Sequence, residues 1–191
     1  MNYDTVIVGA GAAGCVLAAR LSEDPGQQVL LLEAGPDFLP PDQLPPEVYR
    51  AYGYPGIWGQ AFGYNTRFGW DYRARSTDTN PDIFIPRGRI VGGSSAVNAQ
   101  IFLRGLPEDY DDWASAGNDE WSYPNVLPYF RKLENDKDIA GDFHGTSGPI
   151  TLTRHKEEDW LPLQRTFHSA CLAAGYRDDP DMNSPDGEGV G

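Results

Sequence analysis

The sequence predicts an α/β fold whose first part is a parallel βαβ unit, followed by the start of an α+β domain. Two uninterrupted apolar runs, Thr5–Val8 and Val29–Leu32, have the composition of parallel strands that are covered on both faces. A glycine-rich turn and a helical pattern lie between them, and this order within about 30 residues is that of a βαβ unit. Prolines and aromatic residues then dominate a long stretch that no regular element explains.

The helix of the βαβ unit follows the glycine-rich turn at residues 9–14. Leu17 and Leu21 recur at helical spacing, and the pair Pro25-Gly26 ends the pattern before the second strand begins. We therefore expect a short helix between the two strands, and a carboxylate at the carboxyl end of the second one.

Residues 36–85 form an excursion from this unit. Prolines interrupt its first half, and tyrosine, tryptophan and phenylalanine residues are interleaved up to Tyr72. A structureless loop of this length inside a compact domain is usually functional. We expect an ordered, lid-like segment, and a simple cover over the edge of the sheet is the alternative that the sequence leaves open.

The second half of the chain carries weaker signals. Gly117 and Gly175 each follow a helical pattern and mark its end. The expected elements, in order, are a second glycine-rich turn from Gly92, a helix from Glu108 to Ala116, helical starts at Ser122-Pro124 and at Pro128, a strand at residues 150–153 and a helix from about Asp159 to Ala174. The acidic runs at 136–138, 157–159 and 178–181 are expected to be solvated surface.

Charge and composition exclude several classes of protein. The 28 acidic against 15 basic residues give a net charge of −13, which lacks the basic footprint that nucleic acids and anionic membranes require. No apolar run approaches the ~18 residues of a membrane span. The amino terminus enters the first strand without a basic region or cleavage site, so we expect a cytoplasmic protein. Cys15 and Cys171 lack metal-ligand spacing, and no metal site is expected.

The first glycine-rich turn has the pattern of a dinucleotide-binding site. Gly9 permits the tight turn, Gly11 lets the backbone approach a pyrophosphate, and Gly14 lets the helix pack closely on the strand. The N–H groups at the start of the helix, including those of Ala12 and Ala13, attract the negative charge of phosphate. A strand before the turn and a helix after it make the motif specific.

Glu33 and the neighbouring Ala34 lie at the end of the second strand, at the distance from the glycines that a ribose contact requires. A carboxylate there accepts hydrogen bonds from ribose hydroxyl groups and repels a 2′-phosphate, so NADP is disfavoured. The βαβ unit alone does not indicate whether the cofactor is FAD or NAD.

The second glycine-rich turn indicates which of the two cofactors is expected. The stretch from Gly88 to Asn98, GRIVGGSSAVN, closely resembles the first signature of the glucose–methanol–choline (GMC) oxidoreductases. Four other stretches are similar to members of that family: LEAG at 32–35, RGLPEDYDDW at 104–113, LPYF at 127–130 and GTSGPI at 145–150. The resemblance covers essentially the whole chain, and the hydroxymethylfurfural oxidase and choline dehydrogenase types look nearest.

In that family this stretch wraps the isoalloxazine and pyrophosphate of FAD, so the resemblance implies FAD as cofactor. Consecutive glycine and serine residues also allow backbone N–H groups to surround an anionic group, whatever the family. The side chain of Arg89 is expected either to neutralise a phosphate or to pair with a carboxylate. The cofactor-binding residues assigned to this stretch are Arg89, Val91, Gly92, Gly93, Ser94, Asn98, Ala99, Gln100 and Ile101.

Two positions in this stretch bear on how the flavin is held. Asn98 and the backbone after it are expected to face the N5–O4 edge of the flavin, where hydrogen bonds stabilise the charge that hydride uptake creates. Some family members attach FAD covalently through a histidine just before that asparagine. Val97 stands there in this chain, so we expect non-covalent, dissociable FAD.

The resemblance implies a division of the chain into three parts. Residues 1–35 and 86–145 belong to an incomplete FAD-binding domain, 36–85 to the lid-like excursion, and 146–191 to the start of a substrate-binding domain. The family's catalytic histidine lies near the far carboxyl end of a longer chain. None of His144, His155 and His168 matches it, so no catalytic residue is assigned.

The chain is therefore expected to be the amino-terminal, FAD-binding part of a flavin-dependent alcohol oxidase or dehydrogenase. Such an enzyme oxidises a primary CH–OH group by hydride transfer to flavin N5. The expected partners are a small-molecule alcohol and the remaining carboxyl-terminal polypeptide of the same enzyme. A flavin-binding fragment without turnover of its own and a GMC-type hydroxynitrile lyase are the alternatives.

Overall fold

The computed structural model describes residues 2–39, 43–49 and 67–191. The chain divides into two compact units, Met1–Ile101 and Phe102–Gly191. Each unit is built from short helices and strands joined by long connections, as the high content of glycine and proline leads one to expect.

The first unit opens with the predicted βαβ unit. Its two strands pair in parallel, with Thr5 opposite Val29, and the N–H of Gly9 extends the ladder by donating to the carbonyl of Leu32 at 2.7 Å. The ends of both strands, and the turns that follow them, therefore meet at one edge of the sheet. The elements are strand β1 (Thr5–Val8), helix α1 (Ala12–Leu21) and strand β2 (Val29–Leu32).

A small apolar core joins the excursion to the second glycine-rich turn. Val48, Phe68 and Ile90 are buried together, and the ring of Phe38 meets that of Phe68 edge-on with centroids 5.6 Å apart. Part of the excursion therefore packs around this core, whereas residues 71–83 are exposed. The role of the excursion as a lid stays a prediction. It contains helix α2 (Pro46–Tyr49) and an antiparallel hairpin of β3 (Tyr72–Ala74) and β4 (Ile83–Ile85), which the sequence did not predict. The aromatic residues Tyr52, Tyr54, Trp58, Phe62 and Tyr64 lie outside the described residues.

The second unit contains the predicted helices and strand, with small differences in their bounds. A proline occupies the first position of the first and last helices. In each, a side chain two positions beyond that proline, Asp109 or Gln164, accepts a hydrogen bond from the N–H group just before the helix. The elements are α3 (Pro107–Ser115), α4 (Tyr123–Leu133), β5 (Glu134–Asp136), β6 (Ile150–Leu152) and α5 (Pro162–Ala173).

The prediction of a separate helical start at Pro128 is wrong, because α4 runs through that residue. A proline in a helix interior removes one hydrogen bond and costs about 3 kcal/mol or more. Neighbouring contacts stabilise this helix on either side of the proline. The N–H of Tyr123 donates to Asp111 Oδ1 at 2.9 Å, and the rings of Tyr110 and Phe130 meet with centroids 5.6 Å apart.

Strand β6 pairs in parallel with β5, and neither strand joins the β1–β2 sheet. The predicted strand at residues 150–153 is therefore present as Ile150–Leu152, and its place in a substrate-binding domain stays a prediction. The structure groups residues 102–145 with the second unit, whereas the sequence analysis placed them in the FAD-binding domain. The physical reason is that β5 follows α4 directly and finds its partner in β6. The functional division of the chain stays a prediction.

Among the described residues, no helix has both the length and the apolar character needed to cross a membrane.

Candidate cofactor site

The two glycine-rich turns of the first unit lie against each other. The N–H of Gly92 donates to the carbonyl of Ala10 at 2.7 Å, so a backbone hydrogen bond joins the turns directly. A Cβ placed on Gly93 would lie only 2.9 Å from the Cα of Gly11, and Gly93 also has a φ of 58°. The close approach of the two backbones therefore requires glycine at position 93.

The start of α1 faces this junction without a capping side chain. Gly11 occupies the N-cap position, no side chain accepts from the first turn, and that turn contains no acidic residue. The N–H groups of Ala12, Ala13 and Gly14 have no acceptor within the helix, because the first turn of any helix lacks one. Free donors of this kind, together with the positive end of the helix dipole, are what a phosphate group binds in other proteins.

Gly11 and Gly14 are glycines for different reasons. A Cβ on Gly14 would overlap the carbonyl oxygen of Gly9, so its absence lets α1 pack against the end of β1. A Cβ on Gly11 would meet no atom within 4 Å, and the φ of −75° at this residue is ordinary for any amino acid. Nothing in the described chain requires glycine at position 11. The open space next to its Cα fits a group that approaches the backbone from outside, as a pyrophosphate does.

An open cleft of about 520 Å³ lies beside the first glycine-rich turn and the start of α1. It brings together five residues predicted from the first turn and one from the second. Apolar side chains at the end of β1 and on α1, together with Ser95, complete its wall. The sequence analysis did not select these four, although their adjacency to the glycines was a usable signal. The lining residues are Ile7, Val8, Gly9, Gly11, Ala12, Ala13, Gly14, Leu17, Ser94 and Ser95.

Glu33 holds the first turn in place through its carboxylate. Oε2 accepts from the N–H of Ala10 and Oε1 accepts from the N–H of Gly35, both at 2.8 Å. Each oxygen has a second lone pair, so the predicted contact with a ribose remains compatible with these bonds. The sequence analysis missed this link between the end of β2 and the glycine-rich turn. Ala34, between these contacts, is exposed.

The segment that leads into the second turn is held mainly by backbone contacts. A Cβ on Gly35 would overlap the backbone of Arg89, and the N–H of Val91 donates to the carbonyl of Pro36 at 3.1 Å. The guanidinium of Arg89 lies over the ring of Trp70, 5.4 Å from its centroid. This cation–π contact is a partner that neither of the two sequence-based alternatives for Arg89 included. The hydroxyl oxygen of Ser94 accepts from the N–H of Gly88 at 3.1 Å.

Residues 98–101 lie outside the lining of this cleft. The carboxamide oxygen of Asn98 accepts from the N–H of Gln100 at 2.9 Å, and Gln100 has a φ of 58°. This left-handed conformation is costly for a residue other than glycine and clusters at functional sites in proteins. The predicted contact of Asn98, Ala99, Gln100 and Ile101 with a flavin stays a prediction. Val97 is half-buried and packs against the core around Ile90.

The histidines lie in different surroundings. His144 is buried in the second unit, with Nε2 2.8 Å from Asp181 Oδ2. His168 packs against Trp160 and bonds to the exposed Asp178. Among the described residues, no group of histidine, cysteine and acidic side chains is arranged to hold a metal ion, and none was predicted.

A parallel βαβ unit with an uncapped helix start, an open glycine and a second glycine-rich turn defines the class of nucleotide-binding α/β proteins. The comparison with protein families is more specific. The family model described as GMC oxidoreductase matches residues 3–191. The chain therefore belongs to the GMC oxidoreductase family, as the resemblance of its motifs indicated.

Several curated proteins are similar to the chain over nearly all of its length. An uncharacterised GMC-type oxidoreductase of Rhodococcus erythropolis is 43% identical over 188 residues, which are 98% of this chain and 36% of that protein. Human mitochondrial choline dehydrogenase is 40% identical over 195 residues, 100% of this chain and 32% of that protein. The 5-(hydroxymethyl)furfural oxidase of Methylovorus sp. (strain MP688) is 39% identical, with 95% and 35% covered. The chain thus spans about a third of the length of these relatives.

Solved structures agree with this assignment. Pyridoxine 4-oxidase from Mesorbium loti superposes with a TM-score of 0.81 at 35% identity, covering 96% of this chain and 34% of that one. A formate oxidase superposes with a TM-score of 0.75 at 27% identity, covering 95% and 32%. The architecture of the described residues is that of the corresponding third of these enzymes.

Proposed function

We propose that this chain is the FAD-binding part of a flavin-dependent oxidoreductase that acts on a primary alcohol. The observation that carries the proposal is the junction of the two glycine-rich turns, where the open Cα of Gly11 lies beside the uncapped start of α1. The named activities of the relatives and solved neighbours, on choline, 5-(hydroxymethyl)furfural and pyridoxine, support an alcohol as the substrate class.

The residues at this junction fit the diphosphate of FAD. The N–H groups of Ala12 and Ala13 donate to phosphate oxygens, and Gly11 lets them approach without a side chain in between. Glu33 fixes the turn through Ala10 and offers its remaining lone pairs to the adenosine ribose. Bound FAD supplies the acceptor for the hydride of the alcohol.

The second turn and the stretch after it complete the contribution of this chain. Gly92 and Gly93 bring their backbone against the first turn, and Ser94 faces the shared cleft. We propose that Asn98 and the backbone to Ile101 hold the flavin edge by hydrogen bonds that stabilise negative charge there. The cofactor is held without a covalent bond, because Val97 has no group that forms one.

No histidine of this chain is proposed as the catalytic base. His144 is enclosed by carboxylates, and His168 is paired at the surface of α5. We propose that the base, the rest of the substrate pocket and further sheet strands come from the remaining carboxyl-terminal polypeptide. Cytoplasmic localisation likewise stays a proposal.

The test is to purify the protein that contains this chain and identify its bound cofactor. We expect yellow protein that releases free FAD on denaturation with acid or heat. Flavin that stays on the denatured chain would contradict non-covalent binding, and NAD in place of flavin would overturn the proposal. Anaerobic bleaching of the flavin by a primary alcohol supports an oxidoreductase. An unbleached flavin with cleavage of a hydroxynitrile identifies a lyase, and no reaction identifies a binding fragment.

A further inference from the structure

A cluster of largely buried charges lies in the second unit. Its acidic members are Glu134 and Asp136 on β5 and Asp181 in the terminal segment. Its basic members are the guanidinium groups of Arg104, before α3, and Arg154, after β6. Glu134 is completely buried, and the Arg104 side chain is 2% exposed.

His144 lies between the three carboxylates of this cluster. Its Nε2 is 2.8 Å from Asp181 Oδ2, and its Nδ1 is 3.2 Å from Asp136 Oδ2 and 3.4 Å from Glu134 Oε1. A neutral imidazole has one N–H donor and one acceptor nitrogen. Nδ1 makes no hydrogen bond of good geometry, although two carboxylate oxygens lie close to it. A neutral ring would leave one nitrogen unprotonated beside a carboxylate, whereas the doubly protonated ring carries an N–H on each side.

The carboxylate of Asp136 has several partners that favour its ionised form. Asp136 accepts from the N–H groups of Asp138 and Ile139 as well as from Arg154. Burial by itself raises the pKa of Asp136, but these hydrogen bonds and the guanidinium outweigh burial, so the pKa lies below its usual value. Arg154 also donates to Asp181 Oδ1 at 3.1 Å.

The carboxylate of Glu134 also accepts hydrogen bonds from an arginine and from a backbone N–H group. Its Oε1 accepts from Arg104 at 2.5 Å and from the N–H of Gly145 at 2.7 Å. The hydroxyl of Tyr123 also faces Arg104, and burial raises the pKa of this phenol, so it adds no charge at neutral pH. Nearby, Asp179 faces Arg177 at 3.9 Å, and Asp138 accepts the backbone N–H of Arg154 at its exposed edge.

The charges around the ring of His144 do not cancel unless the ring itself is positively charged. Three carboxylates face two guanidinium groups, so a neutral His144 would leave one uncompensated negative charge in a buried place. Unpaired buried charges are strongly destabilising. A protonated ring makes the group electrically neutral, donates from Nε2 to Asp181 and places its second N–H near Asp136 and Glu134.

We propose that His144 is held as an imidazolium and latches the terminal segment 179–183 to strand β5. The imidazole ring of His144 and the guanidinium group of Arg154 both bind the carboxylate of Asp181. Asn183 completes the attachment, because its Oδ1 accepts from the N–H of Arg104 and its Nδ2 donates to the carbonyl of Phe102. The segment lacks regular secondary structure, and besides these side-chain contacts the N–H of Asp179 donates to the carbonyl of Val190 at 2.9 Å.

The protonation state is tested by nitrogen NMR on protein with ¹⁵N-labelled histidine at neutral pH. The signal of His144 is identified by its loss in the variant His144→Gln. We expect both ring nitrogens to carry protons in the native protein, and a single protonated nitrogen would overturn the proposal. In Asp181→Asn one carboxylate is removed, so the ring should revert to a single proton. A ring that stays doubly protonated in this variant would show that Asp181 does not control it.

The latch is tested by hydrogen exchange measured by mass spectrometry on the whole protein. In His144→Gln, exchange of the amide groups in 179–183 should be faster by at least about tenfold, since a buried ionic partner is lost. His168→Gln is the matched control: it removes a histidine–aspartate pair at the surface and should leave that segment unchanged. Equal protection in His144→Gln and the native protein would overturn the latch. If His144→Gln does not fold, the ring signals of His144 are assigned by sequential NMR from its backbone, and the result on the native protein decides.

Discussion

The replacement Gly11→Val tests the cofactor site directly, because the described structure contains no obstacle to a side chain at this position. A Cβ there meets no atom within 4 Å, and the backbone conformation suits any amino acid. Loss of glycine at an N-cap costs up to about 1 kcal/mol. The smaller conformational entropy of the unfolded chain offsets about 0.4–1 kcal/mol of that cost. We therefore expect the stability of the cofactor-free protein to change by less than about 1 kcal/mol.

The effect on FAD should be much larger. A side chain at Gly11 fills the space through which the backbone reaches the diphosphate, and overpacking of this kind costs about 1–3 kcal/mol. Each N–H bond to a charged phosphate that is then lost costs a further 1.5–3 kcal/mol or so. A total near 3 kcal/mol corresponds to a weakening of FAD binding by at least about a hundredfold.

The assay is the ratio of flavin to protein after purification, followed by titration of the cofactor-free protein with FAD. Gly14→Ala is the matched contrast, because its Cβ would overlap the carbonyl oxygen of Gly9 within the protein itself. It should lower the melting temperature even without FAD. Full flavin content in Gly11→Val would refute the assignment of this turn to the diphosphate. An equal loss of stability in both variants would show that Gly11 serves the fold.

Three further predictions follow from the same contacts. Glu33→Gln should lower the melting temperature by weakening one of two backbone contacts, worth about 1.5–3 kcal/mol, and should weaken FAD binding less than Gly11→Val does. Gly93→Ala should cost roughly 1–2 kcal/mol for its left-handed backbone, and should reduce flavin content because its Cβ presses on Gly11. The pKa of Asp136 is lower in the folded protein than its usual value of 3.8. Its ionised carboxylate therefore stabilises the fold at pH values above 3.8, and this stabilisation is lost as the pH falls through the pKa of the folded state. Urea midpoints from pH 7 to 3 should therefore show a weaker acid dependence in Asp136→Asn, with about 3 kcal/mol already lost at pH 7.

The βαβ unit could be predicted from the sequence because each of its signals is local. The bounds of both strands match the apolar runs, and the helix begins at Ala12, within the glycine-rich turn that it was expected to follow. The distinction between Gly11 and Gly14 also follows from their places in the motif. Its physical basis becomes measurable only when the surrounding atoms are known, since one Cβ position is open and the other is filled.

The charge cluster was missed because its members are far apart in the chain. The sequence analysis assigned the acidic runs at 136–138 and 178–181 to solvated surface, yet Asp136 and Asp179 are 5% and 6% exposed. A short acidic run looks the same whether water or an arginine faces it. Only the fold brings Arg104 and Arg154 to these carboxylates. The hairpin β3–β4 was missed for a related reason, since its short strands pair across a turn without an alternating apolar pattern.

The free side of β1 gives a last prediction about the proposed partner polypeptide. In the described residues the first sheet has two strands, and Val6 in β1 is 53% exposed. Two strands are marginal on their own, and an apolar strand edge invites pairing. If the remaining polypeptide supplies further strands, with connections that cover this face of the sheet, Val6 becomes buried. Val6→Thr should then cost about 1–3 kcal/mol in the complete enzyme. At a position that stays exposed, the same change should lie within about 0.5 kcal/mol. Chemical denaturation of the complete enzyme, with and without the substitution, measures the difference. An effect of the smaller size would show that this face of β1 stays uncovered, and the proposed completion of the sheet would then be wrong.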